Sequence, residues 1–424
     1  MKKVLIISPF FPPINAADMQ RVRTSLPYFK DFDWEVEVVV VDAKYIDMIE
    51  DPILSLSVPD DITIHTVSAL PIKITKKIGL GSVALRSLWQ YKNKVNQLLR
   101  SKKYDLIYFS TTQFPLLILG AYWKRKFDVP YVIDMQDPWH TDYYQNKPKK
   151  ERPRKYCFSY RLNKYLEPIA MKNVAGLIAV SKSYIDDLVI RYPRLKNIPA
   201  AVIPFGANPL DFELAKSMNS YIIEFDKKKL NIVYTGAVGY IMSKSIHFLC
   251  TALSSLKVNH PDAYSKIHIH FIGTSYADIE RSVHTVLPIA EQYSVEEVVT
   301  ERTSRIGYYD SLNLLSAADA LLILGSDDEA YNPSKIDVYA MAKKLIIGIF
   351  SFDNAAVDKM ERLNLGKVFK YSAKGTEQEL ADYLDHLNMQ NDSLLPKKKY
   401  FNSAKTLTKE QCNLFSKVLA DSQK

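Results

Sequence analysis

Two acids stand eight residues apart in "LGSDDEAYNPSKIDVYAM", residues 324–341. Glu329 falls in a loop after the apolar run "ALLIL", and Asp337 falls in a helix expected to begin near Pro333, a favoured first-turn residue. Ser334 is a capping candidate and Lys335 stands beside it, so the segment sets carboxylates that can bind hydroxyls against a helix start that attracts anions. An acidic, solvated loop is the plainer alternative. "SDDE" also has the composition of a metal site, but no second acidic cluster or histidine set accompanies it, and no metal is expected.

Two further segments carry usable chemistry. "IDMQDPWH", residues 133–140, sets Asp134, Asp137, Trp139 and His140 behind the run "PYVI". Carboxylates there can orient a hydroxyl or take its proton, and Trp139 can stack on a sugar ring or form a pocket wall. A capping aspartate before proline is the alternative. "YTGAVGYIMSKS" carries Gly236 and Gly239 behind "NIVYT", with Lys244 in the next turn. Glycine permits close backbone approach and lysine can hold a phosphate, although a lone G-x-x-G also makes ordinary tight turns. The opening loop "SPFFPPINAADMQRVR", residues 8–23, occupies the usual place of a glycine-rich phosphate loop and contains no glycine. It can still face a phosphate or a sugar hydroxyl, or be a rigid Pro-Pro turn.

These loops need strands to hold them. Short apolar runs recur: "KVLIISPF", "VEVVVVDA", "ITIHTV", "YDLIYFST", "PYVIDMQ", "AGLIAVS" and "AAVIPFG". They lack alternation and are bounded by turn residues, which is the pattern of strands buried on both faces of a parallel sheet. After "VIPFGANPLDF" the pattern restarts with "KLNIVYTGAV", "IHIHFIGT", "SVEEVVTER", "ADALLILGS" and "KKLIIGIF", interleaved with helical stretches at 246–256 and 309–317. The expectation is an α/β chain of two doubly wound, Rossmann-like domains facing across a cleft, with ligands at the carboxyl ends of both sheets. The boundaries fall at 1–205, 206–395 and 396–424. The last is a helix after a lysine-rich hinge, Lys397 to Lys399.

A length of 424 residues suits two domains, and 47% apolar with 24% charged residues is the balance of a folded globular chain. The net charge of +9 favours an anionic partner. Cys157, Cys250 and Cys412 stand far apart, without a pairing pattern or zinc spacing, and read as reduced thiols of a cytoplasmic protein. The first apolar run is too short for a signal peptide, and none approaches the ~20 residues of a membrane-spanning helix. Residues 146–164, "NKPKKERPRKYCFSYRLNK", hold eight basic residues against one acid, interleaved with Tyr156, Phe158 and Tyr160. That composition suits docking on the anionic inner face of a membrane, and equally a solvated charge run. Nucleic acid is disfavoured because no binding module is present. A dehydrogenase is disfavoured because neither half carries G-x-G-x-x-G after its first strand.

Taken in order, "KVLIISPFFPP", "EVEVVVV", "GLIAVSKSYIDDL", "VIPFGANPLDF", "NIVYTGAV", "SLNLLSAADALLIL" and "YNPSKIDVYAMAKKLI" resemble the retaining glycosyltransferases of family 4. The resemblance runs over nearly the whole chain. It implies the GT-B fold with the C-terminal helix returning to the N-domain. It also implies transfer of a sugar from a nucleotide diphosphate sugar to a polysaccharide or lipid-linked acceptor, with no cofactor and no metal. The family's E-x7-E signature falls on Glu329 and Asp337, implying contacts to the donor sugar and the ribose. Lys244 matches a phosphate-binding lysine, with Gly236, Ser334 and Lys335 completing the donor set. The family's usual arginine after that glycine is replaced by Ala237. Asn15-Ala16-Ala17 stands where relatives place Gly-Gly, which assigns Asn15 to the same cleft. "DMQDPW" resembles a segment of enzymes of surface polysaccharide assembly and implies Asp137 and Asp134 near the acceptor hydroxyl or the anomeric centre. The rivals are a same-fold epimerase or hydrolase, and a catalytically silent scaffold.

Overall fold

A computed structural model of the chain describes residues 1–75, 80–140, 142–146, 148–149, 152, 156–218, 222–275, 279–326, 335–373, 375–389 and 402–422. The chain divides into two units, residues 1–206 with 402–424, and residues 207–401.

The first unit is built on β1 (Lys2–Ile7), β2 (Trp34–Val41), β3 (Thr63–Val67), β4 (Leu106–Ser110), β5 (Tyr131–Met135), β6 (Gly176–Ala179) and β7 (Ala200–Val202). They form one sheet in the order β3-β2-β1-β4-β5-β6-β7, and every pairing is parallel. Each of the seven apolar runs of the first half supplies one strand. The central runs β1, β4, β5 and β6 lack a polar face because those strands are covered on both sides, whereas the edge strands β3 and β7 are largely exposed. Leu5, Ile7, Phe109 and Ile133 pack on one side with Tyr91 and Trp123, while Val4, Ile6, Tyr108 and Val132 pack on the other. In this order the strand sequence reverses between β1 and β4, and that switch point is where doubly wound sheets open a crevice.

The helix Ala404–Ser422 covers the second side. Phe415 is fully buried there, with ring centroids 5.0 Å from Tyr108, 5.4 Å from Trp34 and 6.5 Å from Phe29. Gln411 Nε2 donates to Ser25 Oγ at 3.0 Å. Gly176 in β6 admits this helix, since a Cβ there would lie 2.6 Å from Val418. The last helix therefore belongs to the first unit, as the fold resemblance implied. The Lys397 to Lys399 hinge lies outside the described residues.

The second unit contains β8 (Leu230–Thr235), β9 (Ile267–Ile272), β10 (Val299–Arg302), β11 (Ala320–Leu324), β12 (Leu345–Phe350) and β13 (Gly366–Lys370). The order is β10-β9-β8-β11-β12-β13, again all parallel, with the switch point between β8 and β11. The sequence reading found β8 to β12 and missed β13. "GKVFK" alternates lysine with apolar residues and is mostly half-buried, because it is an edge strand paired on one side only. Among the described residues no helix is long and apolar enough to cross a membrane.

Candidate functional site

The loop after β1 is a closed structure. Pro12 and Pro13 are joined by a cis bond, the Asn15 N–H donates to the Ile49 carbonyl at 3.0 Å, and the Asp51 N–H donates to that of Pro13. Asn15 is half-buried and Ala16 is 3% exposed. The loop delivers Asp18 to the end of β4. There Asp18 Oδ2 accepts from the Thr111 hydroxyl and the Thr112 N–H, both at 3.0 Å, and from the Thr112 hydroxyl at 3.1 Å. Burial raises the pKa of Asp18 above the usual carboxyl range, against the pull of those donors. The first switch point is thus spanned by a carboxylate of the chain itself.

Asp134, expected beside a reacting hydroxyl, is instead interior. Its Oδ2 pairs with Arg21 Nε at 2.7 Å and accepts from Ser110 at 2.9 Å, Gln136 at 3.0 Å and Tyr108 at 3.1 Å. Arg21 also donates to the carbonyls of Ile203 at 2.7 Å and Pro204 at 3.2 Å, so the pair ties β5 to the last residues before the second unit. Trp139 is likewise a core residue and not a free sugar platform. It is 2% exposed, stacks on Phe114 at 5.5 Å and exchanges hydrogen bonds with Asn163. His140 Nδ1 lies 3.6 Å from Glu167, which Arg191 and Tyr192 also hold.

Asp137 differs from its neighbours by reaching the surface. Partial dehydration by the surrounding protein, with the Asp18 charge second, raises its carboxyl to about 6. A carboxylate that titrates near neutrality is suited to exchange a proton with a substrate hydroxyl.

In the second unit, two glycine turns follow adjacent strands. Gly236, at φ +113°, leaves β8, and its N–H donates to the Ile272 carbonyl at 2.7 Å. Gly273, at φ +75°, leaves β9, and its N–H donates to the Arg302 carbonyl at 2.8 Å. Both conformations favour glycine. At Gly236 there is a second reason, because an added Cβ would sit 2.5 Å from Lys335 Nζ.

Lys335 precedes the helix Ile336–Met341. Its ammonium donates to the Thr235 carbonyl and stands 4.2 Å from the centroid of the Tyr234 ring. Tyr339, one turn on, accepts the Thr235 N–H at 3.0 Å, so both peptide groups of Thr235 are gripped from the same segment. Burial first, and the charge of Arg305 second, lower the Lys335 ammonium to about 7. Among the described residues no carboxylate pairs with it.

Asp337, expected to face a ribose, is 3% exposed, and its Oδ2 accepts from Lys359 Nζ at 2.6 Å, an internal tie to the helix Ala355–Leu363. Lys244 is exposed in the first turn of the helix Ser243–Asn259, whose Ser245 hydroxyl donates to the Gly325 carbonyl at 3.0 Å. Glu329 and Ser334 lie outside the described residues, as does Pro333, where the helix was expected to start. Among the described residues no cluster of three or more His, Cys, Asp or Glu forms a metal site.

Residues 32–209 match the family model described as Glycosyltransferase Family 4. Solved structures of similar fold include HepE of Anabaena in complex with UDP and glucose, 14% identical, covering 100% of this chain and 98% of that one at a TM-score of 0.55. Sucrose-phosphate synthase of Thermosynechococcus elongatus is 14% identical, with 100% and 98% covered at 0.60. S. aureus TarM, solved with UDP among its ligands, is 10% identical, with 100% and 99% covered at 0.58. No curated protein matches the chain by sequence. The two parallel sheets, each with its switch point, are thus the fold of the GT-B glycosyltransferases. The family 4 match covers residues 32–209, and over its whole length the chain is similar in fold to these enzymes.

Of the expected residues, Gly236 and Lys335 are brought into contact, Asp137 is at the surface, and Asp134 and Asp337 are bound internally. Sequence reasoning missed Arg21, Lys359 and Arg305. Each acts on a residue 22 to 113 positions away in the chain, and nothing local marks them.

Proposed function

We propose that the chain transfers a sugar from a nucleoside diphosphate sugar to a hydroxyl of a glycan or lipid-linked acceptor, with retention and without a metal, in cell-surface glycan synthesis. The observation that carries this reading is the contact of Lys335 with Gly236 at the second switch point. A dehydrated ammonium held by a carbonyl and a ring face, beside a turn without side chains, suits a phosphate group brought close to the backbone. A diphosphate leaving group builds negative charge as the glycosidic bond breaks, and a fixed cation favours that state over the bound donor. Lys244, Glu329 and Ser334 are proposed around the same donor, with Asp337 supporting that helix through its tie to Lys359, and Asn15 and Asp137 on the acceptor side, with Asp137 receiving the hydroxyl proton. The structures of HepE with UDP-glucose and of TarM with UDP support this class of donor.

Docking on an anionic membrane is proposed for residues 146–164 and the helix Tyr156–Met171. Phe158 and Tyr165 are exposed there, and Lys164 stands 5.7 Å from the Tyr160 ring. Cytoplasmic location at the inner membrane face goes with that proposal.

The test is calorimetry with UDP, GDP, ADP and their sugars, followed by turnover with and without candidate acceptors. Selective binding of one diphosphate, with product only when acceptor is added, is the expected result. Turnover without acceptor would favour an epimerase or hydrolase. Absence of binding to every nucleotide would remove the assignment and favour a scaffold.

A further inference from the structure

Positive charge is concentrated in a part of the first unit that carries none of the candidate motifs. Residues 62–127 hold twelve Lys and Arg against one acid, Asp105, a surplus of eleven charges in a chain whose net charge is +9. Asp105 accepts the Lys3 backbone N–H at 2.7 Å. On the surface this charge alternates with rings. Trp89, in the helix Val83–Ser101, is 65% exposed, whereas Trp34, Trp123 and Trp139 are buried. The Lys92 ammonium lies 5.0 Å from the centroid of the Trp89 ring and 4.8 Å from that of Tyr122, in the helix Ile118–Phe127. Lys126 donates to the Tyr122 hydroxyl at 3.0 Å, and its ammonium is 5.5 Å from the Tyr122 ring and 5.4 Å from the Phe127 ring. The two helices thus share one outer strip of three rings and two ammoniums. Among the described residues no carboxylate pairs with Lys92 or Lys126, and nearby Asp128 is paired with Lys124.

Apolar surface continues from this strip. Leu70 is exposed and tied to the same helix, its N–H donating to the Arg86 carbonyl at 2.9 Å and its carbonyl accepting from Arg86 Nη1 at 2.7 Å, one turn before Trp89. Ile74 is exposed in the short helix Ile72–Thr75. Ammoniums on ring faces keep their charge, so the strip offers apolar area and positive charge together. A layer of anionic lipid headgroups matches both, since aromatic rings settle at its depth and lysines reach its phosphates. Leu70 and Ile74 decide between anionic partners, because nucleic-acid phosphates give an exposed aliphatic side chain nothing to enter, whereas acyl chains do. The orientation agrees. Tyr91, Trp123 and Leu166 pack in one core layer, so the helices Val83–Ser101, Ile118–Phe127 and Tyr156–Met171 cover the same side of the first sheet. Tyr165 is exposed on the third of them.

We propose that the outer strip of the helices Val83–Ser101 and Ile118–Phe127, centred on Trp89, Lys92 and Lys126, docks the first unit on an anionic lipid surface. The partner is the one proposed for residues 146–164, and the surface is a separate one with its own test.

The experiment uses the full chain with vesicles of phosphatidylcholine alone and of phosphatidylcholine mixed with phosphatidylglycerol, read by co-sedimentation and by tryptophan emission. With the other three tryptophans buried, a blue shift on adding vesicles reports Trp89. Wild type is expected to bind only the anionic vesicles, with a blue shift that Trp89→Phe loses while remaining folded by circular dichroism. Lys92→Gln with Lys126→Gln should raise the apparent Kd about tenfold or more, the scale of two basic residues at an anionic surface. Lys409→Gln with Lys417→Gln removes two exposed charges from the helix on the other side of the sheet and should match wild type. Arg161→Gln with Lys164→Gln probes the neighbouring segment. If that pair alone loses binding, the strip is overturned and docking through residues 146–164 stands. Vesicle binding with unshifted emission likewise overturns the strip. Binding to a double-stranded oligonucleotide and to no vesicle overturns the lipid partner in favour of nucleic acid. Absence of wild-type binding to anionic vesicles overturns both surfaces.

Discussion

The two switch points of this chain carry opposite charge chemistry. Between β1 and β4, the crevice where a nucleotide-binding sheet would receive a phosphate is occupied by the chain's own carboxylate, Asp18, which takes the Thr112 N–H and the Thr111 and Thr112 hydroxyls. Behind it, the buried Arg21 and Asp134 are paired with each other. Between β8 and β11, the group supplied by the chain is a cation, Lys335, held by a carbonyl and an aromatic face. The first unit satisfies these donors with its own carboxylate, and the second seats a cation on a carbonyl and a ring, which suits the anion site proposed above. The place of a glycine-rich loop after β1 is taken by a loop that delivers Asp18 to the Thr111 and Thr112 donors.

This contrast can be broken experimentally. The largest effect is expected for Arg21→Leu, which leaves Asp134 buried without its partner. Loss of one member of a buried pair costs about 3–5 kcal/mol, read as a lower denaturation midpoint of the first unit. The double variant Arg21→Leu with Asp134→Leu should recover part of that loss. A single variant as stable as wild type would show that the pair is not the organising contact of this end.

Asp137→Asn is expected to lower turnover by roughly 10²–10⁴-fold with little change in the thermal midpoint, if Asp137 takes the acceptor proton. Wild-type turnover should rise with pH through about 6 as Asp137 ionises, and the variant should lose that limb. An unchanged pH profile would remove Asp137 from proton transfer.

Lys335→Met sharpens the comparison most directly. Nucleoside diphosphate affinity should fall by about 1.5–3 kcal/mol, the worth of a hydrogen bond to a charged group, while unfolding stability stays within about 1 kcal/mol of wild type or rises. The buried ammonium has no carboxylate partner among the described residues, so its removal leaves no opposite charge stranded. A stability loss like that of Arg21→Leu would place the two cations in the same class.

The smallest effect is a pH dependence in the second unit. His270 is 6% exposed and packed against His268. Burial first, then the charges of His268 and Lys229, lower its pKa from 6.5 to about 4. The unfolded chain therefore binds the proton more readily between these values. Stability is full above pH 6.5 and declines as the pH falls toward 4, by about 1–2 kcal/mol at pH 5. His270→Gln should flatten this part of the stability profile, measured by denaturant unfolding at pH 7 and pH 5.

Much of the fold was legible because strands covered on both faces write themselves as unbroken apolar runs. β13 escaped because an edge strand bearing Lys367 and Lys370 has no such run. At the site, local chemistry was readable and long-range pairing was not. Gly236 and Lys335 were recognisable from a turn and a charge, and their contact is a consequence of the parallel order β8-β11-β12. That Asp134 is paired was not legible because its partner, Arg21, comes from the helix Gln20–Ser25, and one acid in a sequence looks the same whether or not a guanidinium waits in the fold. That Trp139 is buried was hidden for the same reason, since its neighbour Phe114 arrives from the segment after β4.

The helix Ala404–Ser422 has a consequence for how the molecule is made. Because its Phe415 fills the space between Phe29, Trp34 and Tyr108, the first sheet is completed only by a segment that follows the whole second unit in the chain. Residues 207–401 are in effect an insertion between the first sheet and the helix that covers its aromatic face. Until the helix Ala404–Ser422 packs, Trp34 and its neighbours lack their cover, and exposed aromatic surface of this kind favours association between chains.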